Sequence, residues 1–104
     1  MWAQTIKVRL KPGTEDRILE VTAALRDAEQ AGSGLLRSTV LRDQADPAAI
    51  TMLVVFESED HARAREQDER RNEGLGRARA VMGEIFDGPP EFANFDVVEE
   101  TTPA

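Results

Sequence analysis

Apolar and polar residues alternate over residues 2–10, "WAQTIKVRL". Trp2, Gln4, Ile6, Val8 and Leu10 share one face, and Ala3, Thr5, Lys7 and Arg9 share the other. A period of two predicts a strand with one face on a core. Lys11-Pro12-Gly13 ends it with turn residues. The period then changes: Ile18, Val21, Leu25 and Ala28 recur every three or four residues, which predicts a helix with one apolar stripe. Thr14 stands where a side-chain oxygen can cap the helix, and Glu15 and Asp16 complement the positive end of its dipole. Gly32-Ser33-Gly34 stops the helix, with Gly32 free to take a left-handed cap.

Strands are predicted at 35–42, "LLRSTVLR", and at 50–56, "ITMLVVF". The second is nearly continuous apolar, as a well-covered strand should be. The turn-rich link "DQADPAA" between them predicts an antiparallel hairpin. Ser58 is a second N-cap, followed by Glu59 and Asp60 in the first turn of a helix over 59–71. Asn72-Glu73-Gly74 is expected to interrupt it. A further helix, 75–86, carries Leu75, Ala78, Val81, Met82, Ile85 and Phe86 at helical spacing. After "DGPP", residues 91–98 alternate again and predict a last strand. The order β-α-β-β-α-α-β describes an α+β, ferredoxin-like fold with a four-stranded antiparallel sheet. Helices cover one face of such a sheet, and the other face is left for a partner. One domain is expected over residues 1–98, with a polar, frayed tail at 99–104.

Composition narrows the chemistry. The 104 residues carry 13 basic and 20 acidic side chains, a net charge of −7. The arginines of "RAREQDERR" are interleaved with Glu66, Asp68 and Glu69, which reads as a solvated helix face and not a phosphate track. Neither nucleic acid nor an anionic membrane is an expected partner. With no cysteine and one histidine, disulfides, a thiolate nucleophile and a multi-histidine metal site within one chain are excluded. No apolar window is long enough to cross a membrane, and the expected compartment is the cytoplasm.

Few residues suggest a site. His61 can serve as a base or ligand contact, or simply as a polar residue in a helix's first turn. No neighbour is placed by sequence alone to orient its ring. Gln4 and Trp2 lie on the core face of the first strand. A Gln there needs a partner or a wet cavity, unless the strand end frays. Met82 completes a helical stripe. Lys7 and Arg9 point to the opposite face, where pairing or solvent accounts for them.

With these elements in place, the chain resembles the antibiotic biosynthesis monooxygenase family of the dimeric α+β barrel superfamily. The resemblance rests on Val-Arg-Leu-Lys-Pro-Gly (8–13) closing the first strand, a helix, a Gly before the second strand, and Phe-Glu-Ser-Glu (56–59) entering the next helix. It implies a homodimer whose two sheets pack into a barrel, and a helix–sheet cleft in each subunit. Characterised relatives use that cleft to oxidise quinols or phenols with dioxygen and no cofactor, or to bind and cleave haem. The haem branch places an Asn, a Trp and a His where this chain has Ile6, Phe56 and no His on the helix 75–86, so haem cleavage is not expected. The cleft candidates are therefore Trp2, Gln4, Phe56, His61 and Met82, with His61 and Gln4 the weak catalytic candidates and no cofactor or metal. Two functions stay open. One is cofactor-independent, monooxygenase-like oxidation of a small aromatic or quinol substrate. The other is a non-catalytic barrel that binds a small apolar ligand or has an accessory or stress role.

Overall fold

A computed structural model describes residues 1–103; Ala104, the end of the expected tail, lies outside the described residues. Four strands form one antiparallel sheet: β1 (Trp2–Arg9), β2 (Leu35–Arg42), β3 (Ala49–Phe56) and β4 (Glu91–Asp96), in the order β2-β3-β1-β4. β3 lies between β1 and β2, and β1 lies between β3 and β4, so each helical crossover skips one strand. This is the split βαβ arrangement of a ferredoxin-like fold. The β2–β3 hairpin closes through Asp43, whose Oδ1 accepts the backbone N–H groups of Ala45 and Asp46 at 2.7 and 3.2 Å.

The helices are α1 (Ile18–Ala28), α2 (Glu59–Glu66), α3 (Glu69–Gly74) and α4 (Gly76–Ile85). Ser58 caps α2 as its residue type predicts, accepting the His61 N–H at 3.1 Å. Three local details differ from expectation. Thr14 caps nothing; its hydroxyl donates to the Lys11 carbonyl at 2.6 Å, and a turn of 3-10 helix, Glu15–Arg17, precedes α1. α1 ends at Ala28 because Glu29 turns extended (ψ 136°), so the positive φ of Gly32 (78°) serves the later turn into β2. The helical region breaks twice, at Gln67-Asp68 and at Leu75, so the expected interruption at Asn72-Glu73-Gly74 falls one residue later and a second, unexpected one precedes it. Asp68 is the stop signal at the first break, because its carboxylate caps α3 by accepting the Arg70 N–H at 3.0 Å. Asn72 stays helical and donates its side-chain amide to the Glu66 carbonyl at 3.2 Å, satisfying the end of α2.

The core lies between the sheet and the helices. Val8, Leu10, Ile50 and Met52 of the sheet meet Ile18 and Val21 of α1 and Ile85 of α4, with Leu25, Val81, Met82 and Phe86 packed around them. A second cluster of Trp2, Val54, Phe56 and Ala62 closes the end of the sheet nearest α2. Trp2 and Phe56 are register partners on β1 and β3, and their rings sit 6.1 Å apart in a tilted pair.

No helix covers the other face, yet Ala3 and Val55 are buried there at 6% and 4% exposure. Two contacts tie the tail to the sheet. Along one row of that face run Arg37, Val55, Ala3 and Phe95, from β2 to β4. Val97 donates its N–H to the Met1 carbonyl at 3.2 Å, and Glu100 pairs with Arg37 at the far end of the row. Three strand spacings are about 14 Å. Four extended residues after Asp96 reach about the same distance. The tail is thus fastened at Val97 and at Glu100.

The α1–β2 cleft and its relatives

β2 is an edge strand, and α1 packs mainly on α4 and α3, so no helix roofs the inward face of β2. The gap is a cavity of about 350 Å³. Its α1 wall is Leu19, Thr22, Leu25 and Arg26; its β2 wall is Leu35, Ser38 and Val40. Leu19, Leu25, Leu35 and Val40 supply its apolar surface, Thr22 and Ser38 interleave hydroxyls, and Arg26, Glu29 and Arg65 supply its charged groups.

Two of these charged groups, Glu29 and Arg65, are paired. The Arg65 guanidinium forks onto the Glu29 carboxylate, with Nη2 at 2.6 Å and Nε at 3.0 and 3.1 Å from its oxygens. Both side chains are largely buried, at 15% and 22% exposure. The guanidinium also lies over the Phe56 ring, 5.3 Å from its centroid. Burial pushes the Glu29 carboxyl up, but hydrogen bonds from Arg65 and Ser33 and the charges of Arg65 and Arg71 outweigh it and hold Glu29 below its ordinary value.

A pH dependence follows. A carboxyl that titrates lower in the folded state adds stability at neutral pH and loses it as pH falls through the folded value. Glu29→Gln should therefore cost about 1 kcal/mol at pH 7, the scale of a partly exposed hydrogen bond to a charged group. The gap between the two proteins should shrink once pH drops below 4.5, the ordinary carboxyl value. Melting curves of both proteins from pH 7 to pH 3 check this, and a constant gap would contradict it.

The five residues singled out by sequence lie around this cleft and do not line it. Trp2 and Phe56 are buried in the second core cluster, and Phe56 touches the site only through the guanidinium of Arg65. Met82 packs on the main core. Gln4 is half-buried and donates from Nε2 to Asn94 Oδ1 at 3.0 Å, across the β1–β4 pair. His61 has the orienting neighbours that sequence could not show. Its Nδ1 is 2.6 Å from Ser58 Oγ, and its Nε2 is 3.3 Å from Glu57. Ser58 Oγ also accepts the His61 backbone N–H, so one hydroxyl holds both the backbone and the ring of His61. The His61 side chain packs on Gly34, so close that a Cβ on Gly34 would fall 2.5 Å from His61 Cβ, Cγ and Cδ2.

The residues sequence reasoning missed had one signal. Leu19, Thr22, Arg26 and Glu29 repeat at three- and four-residue spacing, one face round from the core stripe. Arg65 left no signal, being 36 positions from Glu29. Among the described residues, no helix is long and apolar enough to cross a membrane, and no three His, Asp or Glu side chains gather where they could hold a metal ion.

Comparisons with known proteins match this architecture. A candidate antibiotic biosynthesis monooxygenase from Nitrosomonas europaea superposes with a TM-score of 0.75 at 13% identity, over 95% of this chain and 100% of its own. One from Bordetella bronchiseptica has a TM-score of 0.72 at 23% identity, over 94% and 98%. An asparagine-to-alanine variant of SnoaB, a cofactor-independent oxygenase from Streptomyces nogalater, has a TM-score of 0.74 at 15% identity, over 95% and 94%. At these identities the likeness is one of fold. No functionally curated protein matches the chain. The sequence profile of the antibiotic biosynthesis monooxygenases matches residues 1–73, from β1 through α3, and the chain belongs to that family.

Proposed function

We propose that the chain is a monooxygenase-like protein that oxidises a small aromatic or quinol substrate in the α1–β2 cleft, using dioxygen and no cofactor. The observation that carries this reading is the cleft: an apolar slot of about 350 Å³ with two guanidinium groups in its lining. Leu19, Leu25, Leu35 and Val40 exclude water from an aromatic ring. Arg26 and Arg65 favour the ionised over the neutral hydroxyl of a phenol or quinol. The ionised ring is electron-rich and supplies the electrons that reduce dioxygen. SnoaB, a cofactor-independent oxygenase of the same fold, lends support.

Oxygen uptake with naphthoquinols and polyphenols tests the proposal. Uptake above the spontaneous rate should require the protein, and Val40→Trp, which fills the cleft from an edge strand that tolerates Trp, should reduce it at least tenfold. One observation favours the alternative of a non-catalytic ligand-binding protein. Glu29, the one carboxylate lining the cleft, is already occupied by Arg65 and held ionised, and no histidine lines the cleft to act as a base. Binding that Val40→Trp abolishes, with no protein-dependent uptake, would establish that alternative.

The active assembly in this reading is a homodimer formed through the open sheet face. Leu53 and Leu41 lie on that face in rows beyond the Arg37–Phe95 row. Leu41 and Phe95 are each 49% exposed, and Leu53 lies between them and half-buried. Such a strip of apolar side chains across a sheet is what a second sheet can cover.

A further inference from the structure

We infer that the cleft selects aromatic ligands that carry an anionic group, such as a carboxylate, and seats that group at its Arg26–Arg65 end. The inference rests on the cleft being the ligand site and names what enters it.

The charge count comes first. The cleft lining holds two guanidiniums, Arg26 and Arg65, and one carboxylate, Glu29. Arg65 is the one cation bonded to Glu29, so Glu29 neutralises one of the two. Arg26 has no ion pair among the described residues. A third guanidinium stands behind. Arg71 of α3 is half-buried, also with no ion pair among the described residues, and close enough to Glu29 and Arg65 to sense both charges. Burial and then the charge of Arg65 push Arg71 below its ordinary value, and Glu29 only partly offsets this. Arg71 also senses Arg79 and Glu66, and Arg26 lines the same cleft as Arg65.

The excess is conspicuous because the chain as a whole carries −7. Most other arginines on this surface meet their own partners: Arg63 meets Glu59 and Glu66, Arg77 meets Asp27, and Arg70 meets Asp68. Arg26, without an ion pair among the described residues, thus lines an apolar groove beside Arg65. An aromatic ring between Leu19, Leu25 and Val40 would lie within reach of Arg26, which is exposed and long enough to follow it. The Glu29–Arg65 fork, fixed by bonds at 2.6–3.1 Å and by the Phe56 ring, is a rigid, charge-balanced wall that costs little ordering on binding and leaves Arg26 as the uncompensated cation of the lining.

Titration calorimetry at pH 7 with 2-naphthoate and its neutral isostere 2-naphthamide tests the inference on the wild-type chain. The acid should bind at least tenfold more tightly. Arg26→Gln should cut that preference several-fold, Arg26→Glu should abolish binding of the acid while sparing the amide, and raising salt should weaken only the acid. Equal affinity for acid and amide, both lost in Val40→Trp, would overturn the anion preference and leave the cleft as the site. Binding of both compounds unchanged by Val40→Trp, or no binding of either, would overturn the inference together with the reading it rests on.

Discussion

Gly34→Ala should destabilise the fold by about 3 kcal/mol and lower the melting temperature by about 10–20 °C. Two costs add. Gly34 has a φ of +82°, which an L side chain rarely adopts, and its new methyl would lie 2.5 Å from His61 Cβ, Cγ and Cδ2. Neither partner can yield easily. The Gly34 carbonyl accepts the Glu57 N–H at 2.9 Å, so the start of β2 is fastened to the start of α2. The His61 ring is held by Ser58 and Glu57. Gly32 separates the two costs, because it has a φ of +78° and nothing within 4 Å of a Cβ. Gly32→Ala should cost only about 1 kcal/mol, the backbone part alone. Thermal melts of both variants decide the matter. Equal losses would mean that the His61 ring does not press on Gly34.

Leu53→Arg should turn a dimer into a monomer. The wild-type chain should sediment at 23 kDa, twice its 11.5 kDa, at micromolar concentration. Leu53 lies on β3, in the row Thr39–Leu53–Thr5–Ala93 at the middle of the open face. A two-fold dimer sets the same patch of each copy against the other, so each Arg would be buried near its twin with no carboxylate opposite. The monomer tolerates the change because that face is open, and an unchanged circular dichroism spectrum would confirm it. A wild-type chain that sediments at 11.5 kDa would remove the dimer from the account.

The parts legible from sequence were those set by local chemistry. The span 35–42 matches β2 residue for residue, because Gly32-Ser33-Gly34 and the Asp43 turn bound an unbroken strand pattern. Ser58 behaves as its residue type and the acidic first turn demand. The sheet order follows from one short hairpin and two helical crossovers. Local ambiguity produced the errors. Thr14 and Asp68 are both cap residues by type, and only the tertiary setting made Asp68 a cap and turned Thr14 to Lys11.

The site was less legible for a different reason. A cleft exists where a helix fails to cover a strand, and that depends on α1 leaning toward α4 and α3. Sequence reasoning placed the site among the most distinctive residues, Trp2, Gln4, Phe56, His61 and Met82. Trp2, Phe56 and Met82 are distinctive because they pack, and Gln4 and His61 have polar partners of their own in Asn94, Ser58 and Glu57. The cleft is lined by ordinary residues, Leu19, Thr22, Ser38 and Val40, whose juxtaposition is a property of the fold. The tail likewise looked featureless, and its course depends on a single distant pair, Glu100 with Arg37.

The central claim is that ligands enter between α1 and β2. Backbone amide shifts in a two-dimensional nitrogen–proton spectrum, recorded while 2-naphthoate is added, test it most directly. The account predicts shifts confined to Leu19–Arg26, Glu29, Leu35–Val40 and Arg65, and absent in Val40→Trp. Shifts centred on Gln4, Asn94 and Met82 instead, or spread over the open face around Leu53, would contradict it.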